Sequence, residues 1–246
     1  MLTMRQELLH EYGLNELGIL INAKDASKGV KYFCPGCNAV FILKKSGNTG
    51  SGSRRPHFAH NNAEHICSYE SYLHKTFILR AVEFLKDRLK NNQPIEVHWA
   101  CNICKMQHNV NLVGFSGVKS EFSLKERKPD IALFDQSGNV IVVIEIIYKH
   151  PPEDGAIQFY RKHNIHVIQI IISSENDLNN IEQKIKKPTS FDLCILPKIP
   201  QAPLLVPALQ KRRSSNGIPS DLLDNPNKYY SHNGKFYRKK GRSRLL

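Results

Sequence analysis

The sequence lacks a hydrophobic run long enough to cross a membrane. A membrane-spanning helix needs about 20 consecutive apolar residues, but the longest apolar run here extends only from Ile141 to Tyr148 and contains Glu145. The first residues also lack an apolar stretch that leads to a small-residue cleavage site, so we expect no secretory signal. We therefore predict a cytoplasmic protein without a membrane partner.

A phosphate-binding loop is also missing. The motif G-x-x-x-x-G-K-[ST] does not occur, and the glycine-rich segment SGNTGSGS (46–53) contains no lysine. We therefore predict no ATP site, and any energy-dependent step would need a partner protein.

Acidic residues are few compared with basic ones. The chain has 22 Asp and Glu against 35 Lys and Arg, which gives a formal net charge of +13. From Pro197 onward, eleven lysines and arginines face only two aspartates, and aromatic residues lie among them. Basic side chains displace counterions from a nucleic-acid backbone, and rings stack on bases. We predict that the extension 197–246 binds DNA, with substrate contacts from Arg212, Arg213, Lys239 and Lys240; a solvated tail that only aids solubility is the alternative.

Four of the six cysteines form two C-x-x-C pairs, Cys34 with Cys37 and Cys101 with Cys104. In a reducing compartment this spacing favours zinc ligation over disulfides. The first pair lies in a stretch of short strands with a flexible loop, which suggests a small module stabilised by zinc rather than by a large core. We predict that residues 1–67 form this zinc-binding β module.

Two further ligands are needed to complete the first zinc site, and His57, His60 and Cys67 are the candidates. His57 and His60 lie on opposite faces of a regular strand, so both cannot bind unless the strand bends. We predict His60 and Cys67, because they lie at the end of the strand and just before a helix.

The second C-x-x-C pair has no obvious partner pair. His98 and His108 flank it, and Cys194 can approach it in three dimensions. A degenerate knuckle or a plain β-turn explains the pair at least as well as a second zinc does, so the sequence assigns no metal there and leaves a second zinc open. Two C-x-x-C pairs with an H-x-x-H-N segment are also the ingredients of HNH-type ββα-metal nucleases, our third-ranked interpretation.

The remaining pattern predicts a mixed sheet with helices packed on it, in a domain that covers residues 68–196. Apolar residues at helical spacing predict a long helix from Ser68 to Asn91. The elements predicted after it are strands 95–100, 108–115, 130–135 and 140–147, helix 153–163, strand 166–172, helix 175–187 and strand 191–196.

The strands 130–135 and 140–147 predict a hairpin. A two-residue turn centred on Ser137 and Gly138 would place Asp130 directly opposite Glu145. Two like charges at that distance in an apolar sheet are unfavourable unless a cation lies between them. A carboxylate pair of this kind suits a hard divalent ion such as Mg²⁺. The alternative is that Asp130 only begins a strand while Glu145 pairs with an arginine or lysine.

A Pro-Asp pair, a hairpin, and then a glutamate followed by a lysine is the pattern of PD-(D/E)XK nucleases. Here the pattern reads Pro129, Asp130 and Glu145, but Ile147 occupies the expected lysine position. Lys149 lies on the same pleat face as Glu145, since strand side chains alternate. It is therefore one candidate for the missing cation.

Several segments together resemble one known family. They occur in this order: YFCPGC (32–37), RRPHFAH (54–60), Cys67, E-S-x-x-H-K (70–75), KPD (128–130) and IEI (144–146). From about Gly18 to Ile172 the chain resembles the competence protein CoiA-like family. The resemblance implies a zinc-binding-like module followed by a restriction-endonuclease-like domain, and a role with DNA in uptake and recombination.

The resemblance also implies roles for single residues. Asp130 and Glu145 match the strand acids that bind Mg²⁺ or Mn²⁺, and Glu70 matches the helix acid that orients a metal-bound water. His74 matches a histidine that either donates to a phosphate oxygen or caps a polar network. Besides Lys149, the residues that can replace the motif lysine are Lys75, Gln158 and Arg161.

The leading prediction is a metal-dependent DNA nuclease that acts in DNA uptake and recombination or in defence against foreign DNA. Its partners would be DNA and a recombinase or a defence-system protein. The alternative from another class is a non-catalytic DNA-binding recombination factor that keeps the nuclease fold, which Ile147 favours. No base-reading module is visible, so we expect little sequence specificity.

Overall fold

The computed structural model describes residues 10–45, 55–61 and 67–193, and the backbone of three short strands at 204–205, 229–232 and 235–238. The chain divides into two compact units, Met1–Ala208 and Leu209–Leu246. In the second unit, the described backbone is an antiparallel hairpin of β14 (Tyr229–His232) and β15 (Lys235–Arg238). The predicted domain boundaries after residues 67 and 196 stay predictions.

The N-terminal part of the first unit is a five-stranded antiparallel sheet in the order β2-β1-β3-β4-β5. Its interior is aromatic, because the buried rings of Tyr32, Phe41 and Phe58 pack together. The strands are β1 (Tyr12–Leu14), β2 (Leu20–Asn22), β3 (Tyr32–Phe33), β4 (Val40–Lys44) and β5 (His57–His60).

The helix predicted over 68–91 is α1, Tyr69–Lys90. Ser68 caps it, since the Ser71 N–H donates to the Ser68 hydroxyl oxygen at 2.9 Å. The helix buries its apolar stripe and packs on the two five-stranded sheets of this unit. The Tyr72 hydroxyl accepts from the Tyr12 N–H at 3.0 Å, and other residues of the helix contact β8 (Gly117–Ser120) and β10 (Val140–Ile147). Helix α1 is therefore the common support of the two sheets.

The central sheet has five strands in the order β12-β11-β10-β9-β8. It is mixed, because β10 pairs antiparallel with β9 and parallel with β11, with α2 in the crossover between β10 and β11. The elements are β8 (Gly117–Ser120), β9 (Ile131–Phe134), β10 (Val140–Ile147), α2 (Asp154–Lys162), β11 (His166–Ile171) and β12 (Ser190–Phe191). The predicted mixed α/β class is confirmed; the finer restriction-endonuclease-like assignment stays a prediction.

Strand β10 is buried on both faces. Val142, Ile144 and Ile146 belong to the large core cluster that contains α1, whereas Val143 packs with Tyr160 of α2. An unbroken apolar run is typical of such a central strand. The side chain of Glu145 therefore emerges inside the domain, on the side of α2.

Three features differ from the predictions. Strands β6 (Ile95–Ala100) and β7 (Gln107–Val113) form a separate sheet with β13 (Leu204–Leu205). The sequence did not predict this, because the spacing of apolar residues indicates which side chains are buried and not which strands pair. The helix predicted over 175–187 is wrong as one element: it divides into α3 (Glu175–Leu178) and α4 (Ile181–Lys186) at two asparagines, which are weak helix formers. Strand β8 lies in the segment 116–129, for which we predicted no element.

The C-P-G-C turn packs directly on the first turn of α1. A Cβ on Gly36 would lie 2.7 Å from the backbone nitrogen of Tyr72 and 2.8 Å from the carbonyl carbon of Ser71. We expect Gly36→Ala to lower the free energy of unfolding by about 1–3 kcal/mol, since backbone atoms have to move. Denaturant titration measures the loss. Gly117→Ala is the matched control, because a Cβ there meets nothing within 4 Å; equal losses in the two variants would contradict the packing.

Candidate functional site

Four side chains from separate parts of the N-terminal region converge on one point. Cys34 and Cys37 come from the turn after β3, His60 from the end of β5, and Cys67 from the residues just before α1. Their ligand atoms all lie within 4.8 Å of one another. The structure therefore brings together the four side chains that the sequence predicted as zinc ligands.

The distances in this cluster fit a zinc ion. The sulfurs of Cys34 and Cys67 are 3.6 Å apart, and the Cys37 sulfur is 3.3 Å from His60 Nε2. Tetrahedral zinc with Zn–S bonds of about 2.3 Å and Zn–N bonds of about 2.0 Å separates two sulfurs by about 3.8 Å and sulfur from nitrogen by about 3.5 Å. His57 lies outside the cluster, and its Nδ1 lies 2.9 Å from the Arg55 carbonyl oxygen.

The backbone of the Cys34 turn is held by two hydrogen bonds. The Cys34 N–H donates to the Ala39 carbonyl oxygen at 2.8 Å, and the Asn38 N–H donates to the Cys34 carbonyl oxygen at 2.8 Å. Asn38 is left-handed, with φ of 60°, a conformation that asparagine tolerates. Burial raises the pKa of the Cys34 thiol and raises the pKa of Cys67 to about 11. A zinc ion offsets that cost because it binds the thiolate form.

The β9–β10 hairpin reaches the predicted register by a different turn. The two-residue turn is wrong: the Asp135 N–H donates to the Asn139 carbonyl oxygen at 2.9 Å, so the loop has three residues and ends on left-handed Gly138. An extra residue, Ile141, then forms a bulge in β10. The pairs from Val142 with Leu133 to Ile144 with Ile131 have the predicted register. The observed pairing ends there, because Asp130 lies just before β9, so its position directly opposite Glu145 stays a prediction.

Asp130 joins three elements. Its Oδ2 accepts the Ile146 N–H at 2.8 Å and lies 3.1 Å from Nε2 of His74 on α1. The same His74 nitrogen is 3.1 Å from the Ile146 carbonyl oxygen. Burial lowers the pKa of His74, but the hydrogen bond to Asp130 and the charge of Asp130 outweigh it, so the pKa is raised overall. His74 is therefore suited to carry a proton beside this carboxylate.

Glu145 faces α2. Its Oε1 accepts a hydrogen bond from the Tyr160 hydroxyl, with 2.7 Å between the two oxygens. Burial, followed by the charge of Asp130, raises the pKa of Glu145 to about 7. The two carboxylates thus interact electrostatically, although Asp130, Glu145 and His74 do not form a ligand group as tight as the cysteine cluster within the described residues.

Two candidates lie near the site in sequence without contacting it. Glu70 is half-buried in the first turn of α1, one turn before His74, and no hydrogen bond or ion pair engages it within the described ranges. Lys149 is exposed beyond the end of β10, and its Nζ lies 5.3 Å from the ring centre of Tyr148. In the part of the chain that the structure describes, Lys149 makes no ion pair with either carboxylate.

The other predicted substrate contacts are spread over the surface. Lys75 pairs with Glu121, which lowers the pKa of that glutamate. Gln158 and Arg161 are exposed on α2, and Arg161 lines a groove together with the Cys101 turn. Four further predicted contacts lie outside the described residues: Arg212, Arg213, Lys239 and Lys240.

Sequence reasoning missed Tyr160 and Arg127. The Arg127 Nε is buried without a hydrogen-bond partner in the described chain, and Nη1 lies 3.5 Å from Glu153 Oε2. Its charge also acts on Tyr160, where it opposes the rise in pKa that burial causes. The sequence signal for Arg127 was its position in the basic segment just before Pro129. For Tyr160 the sequence offered no signal of function beyond its spacing on a helix.

Comparisons with known proteins add no relative. No family model, no curated protein and no solved structure matches this chain. The resemblance to the CoiA-like family therefore stays a prediction from its motifs. None of the helices in the described residues has the length and apolar character that a bilayer-crossing segment needs.

The choice of His60 over His57 can be tested by metal content. We expect His60→Ala to lower the bound zinc by one equivalent per chain, because its Nε2 lies in the thiol cluster. His57→Ala is the matched control and should keep that zinc, although its burial makes some loss of stability expected. Elemental analysis after dialysis measures both. Loss of zinc in His57→Ala alone would reverse the assignment.

Proposed function

We propose that this protein is a divalent-metal-dependent DNA nuclease of the PD-(D/E)XK type. The observation that carries the proposal is the half-buried pair of carboxylates, Asp130 and Glu145, at the end of the β9–β10 hairpin. Asp130 accepts the Ile146 N–H at 2.8 Å, and it lies one residue beyond the last strand pair, Ile144 with Ile131. The raised pKa of Glu145, about 7, reflects this burial and the negative charge beside it. A divalent cation between the two carboxylates would offset both the cost of burying Glu145 and its repulsion by Asp130.

The available donor atoms fit a hard cation. The Asp130 and Glu145 carboxylates and the Ile146 carbonyl supply oxygen ligands, which Mg²⁺ and Mn²⁺ prefer. When bound, such an ion lowers the pKa of a coordinated water and polarises a phosphate oxygen. Tyr160 holds the Glu145 carboxylate in place through its hydroxyl. These residues together account for the metal-binding half of the proposed site.

The neighbouring side chains have separate roles in the proposal. His74 Nε2 contacts two of the proposed ligand oxygens and, once a cation engages those oxygens, is available to donate to a phosphate oxygen. Glu70, one helical turn away, orients the attacking water. These assignments follow the motif resemblance, and the position of His74 beside Asp130 supports them.

Arg127 is our choice for the cation that the motif normally supplies as lysine. Ile147 is only 8% exposed and apolar, so it provides no charge. The guanidinium of Arg127 keeps a buried N–H without a partner among the described residues, three positions before Asp130. It can therefore offset charge on a bound phosphate.

A non-catalytic DNA-binding factor is the second candidate, and Ile147 favours it. A site without the motif lysine can bind a nucleic-acid backbone through the basic segments and leave it intact. The HNH-type interpretation has less support, because His57 is buried and contacts the Arg55 carbonyl while His60 lies in the thiol cluster. Action in DNA uptake and recombination or in defence, with a recombinase or a defence partner, belongs to the proposal in either case.

Cleavage assays test the proposal directly. We expect the full chain to cut single-stranded, linear double-stranded or circular DNA with Mg²⁺ or Mn²⁺ and not with EDTA. Asp130→Asn and Glu145→Gln should reduce cutting to the EDTA level while DNA binding persists, because each removes a ligand charge. Glu126→Gln, an exposed acid-to-amide change in the same region, should cut normally. Binding without cleavage in the wild type with either metal would favour the non-catalytic factor.

The carboxylate pair also predicts a pH-dependent stability difference. The folded-state pKa of Glu145, about 7, exceeds its ordinary value of 4.5, so ionisation costs stability as pH rises through this range. In EDTA at pH 8, Glu145→Gln should therefore be more stable than wild type by about 1–3 kcal/mol. At pH 4.5 the difference should nearly vanish, because the wild-type carboxyl is then protonated.

Denaturant titrations of wild type, Glu145→Gln and Glu126→Gln at both pH values measure this effect. Comparing variants removes the contribution of Glu175, whose pKa burial also raises to about 7. Addition of Mg²⁺ at pH 8 should stabilise the wild type and leave Glu145→Gln unchanged. An amide variant no more stable than wild type at pH 8 would count against a repulsive buried pair.

A further inference from the structure

The turn between β6 and β7 carries a second group of possible metal ligands. The sulfurs of Cys101 and Cys104 and a ring nitrogen of His108 all lie within 4.8 Å of one another. The Cys104 sulfur is 2.9 Å from His108 Nε2. We propose that these three residues bind a second zinc ion, at a site that the sequence analysis left open between a zinc site, a degenerate knuckle and a plain turn. The proposal does not depend on the nuclease function.

The backbone of this turn is held in a specific shape. The Cys101 N–H donates to the Met106 carbonyl oxygen at 2.9 Å, and the Lys105 N–H donates to the Cys101 carbonyl oxygen at 2.9 Å. Lys105 is left-handed, with φ of 61°. Lysine rarely adopts a left-handed backbone conformation, so the intrinsic preferences of these residues do not by themselves favour this turn.

The same shape occurs at the first zinc cluster. In both turns the first cysteine donates to the carbonyl five residues later, and the residue four positions later donates back to the cysteine carbonyl. The fourth residue after the cysteine is left-handed in both, with φ of 60° at Asn38 and 61° at Lys105. The two C-x-x-C turns are thus copies of one zinc knuckle, and only the first was recognisable from its flanking ligands.

The surroundings of the second cluster suit a bound metal. Cys101 is 3% exposed, and the ring of Trp99 lies beside His108 with centroids 5.3 Å apart. The Trp99 Nε1–H donates to the Leu193 carbonyl oxygen at 3.0 Å, which fixes the indole against the imidazole. A pair of thiolates with an imidazole selects zinc over magnesium or calcium, because these are soft and borderline ligands.

The described residues supply three of the four ligands that zinc takes. His98 is not the fourth, because it pairs with Asn109 and so lies on the other face of the hairpin from Trp99 and His108. The proposed site therefore consists of three residues, and zinc sites with three protein ligands leave the fourth position to water or another ligand. The zinc would fix the hairpin tip that carries Ile103, which is 73% exposed and lines the groove with Arg161.

Zinc stoichiometry of the full chain tests the proposal. Native mass spectrometry of the wild type should find two zinc ions per chain, a result that does not depend on how any variant folds. Cys104→Ser should retain one, because it removes a ligand of the second site only. Ile103→Ser, an exposed change at the same hairpin tip, should retain two zinc ions. Asp130→Asn should also retain two, which would show that the second zinc does not depend on the carboxylate pair.

The visible spectrum of bound cobalt tests whether Cys101, Cys104 and His108 are the ligands. Cobalt added to Cys37→Ser should give the visible bands of tetrahedral thiolate ligation from the second site, and those bands should vanish in Cys37→Ser combined with Cys104→Ser. A single zinc in the wild type that Cys104→Ser leaves in place would overturn the proposal. A cobalt spectrum without thiolate bands in Cys37→Ser would overturn it as well.

Discussion

The close contact between Gly36 and the first turn of α1 is the constraint on which the rest of this structure depends. It joins the cysteine turn to the helix backbone at distances that leave no room for a side chain. Cys67 lies just before the same helix, and His74 lies on it. A metal bound at the cysteines therefore fixes the start of α1, and through α1 it fixes His74 relative to Asp130. The first cysteine cluster and the carboxylate pair are therefore connected through α1, although they lie at different sheets.

The carboxylate pair illustrates how a fold retains charge in its interior. Strand β10 is apolar on both faces, and burial alone would favour a neutral residue at Glu145. The strand is nevertheless built around this glutamate: Tyr160 donates to it, and the Ile146 N–H holds Asp130 beside it. Charges retained at such a cost are typical of functional sites. Burial, and after it the charge of Asp130, raises the pKa of Glu145 to about 7, while the hydrogen bond from Tyr160 opposes this rise.

The sequence allowed accurate prediction where one local pattern determines the outcome. Apolar spacing defined α1 to within a residue at each end, and the Cys34, Cys37, His60 and Cys67 set followed from spacing and strand alternation. Features that depend on distant partners were not predictable. Strand β8, the separate β6–β7 sheet and the burial of the Arg127 Nε arise from which surfaces meet, and hydrophobic periodicity carries no such information. The knuckle at Cys101 was hidden for a related reason, since its identity lies in backbone hydrogen bonds.

The bulge at Ile141 compensates for the length of the loop between β9 and β10. A three-residue loop followed by one bulged residue uses the same length of chain as a two-residue turn without a bulge, and both give the same pairing beyond Val142. The bulge therefore takes up the extra residue of the loop before the strands reach Val142. The register next to Asp130 and Glu145 is set by the apolar pairs of β9 and β10, and the choice of turn does not change it.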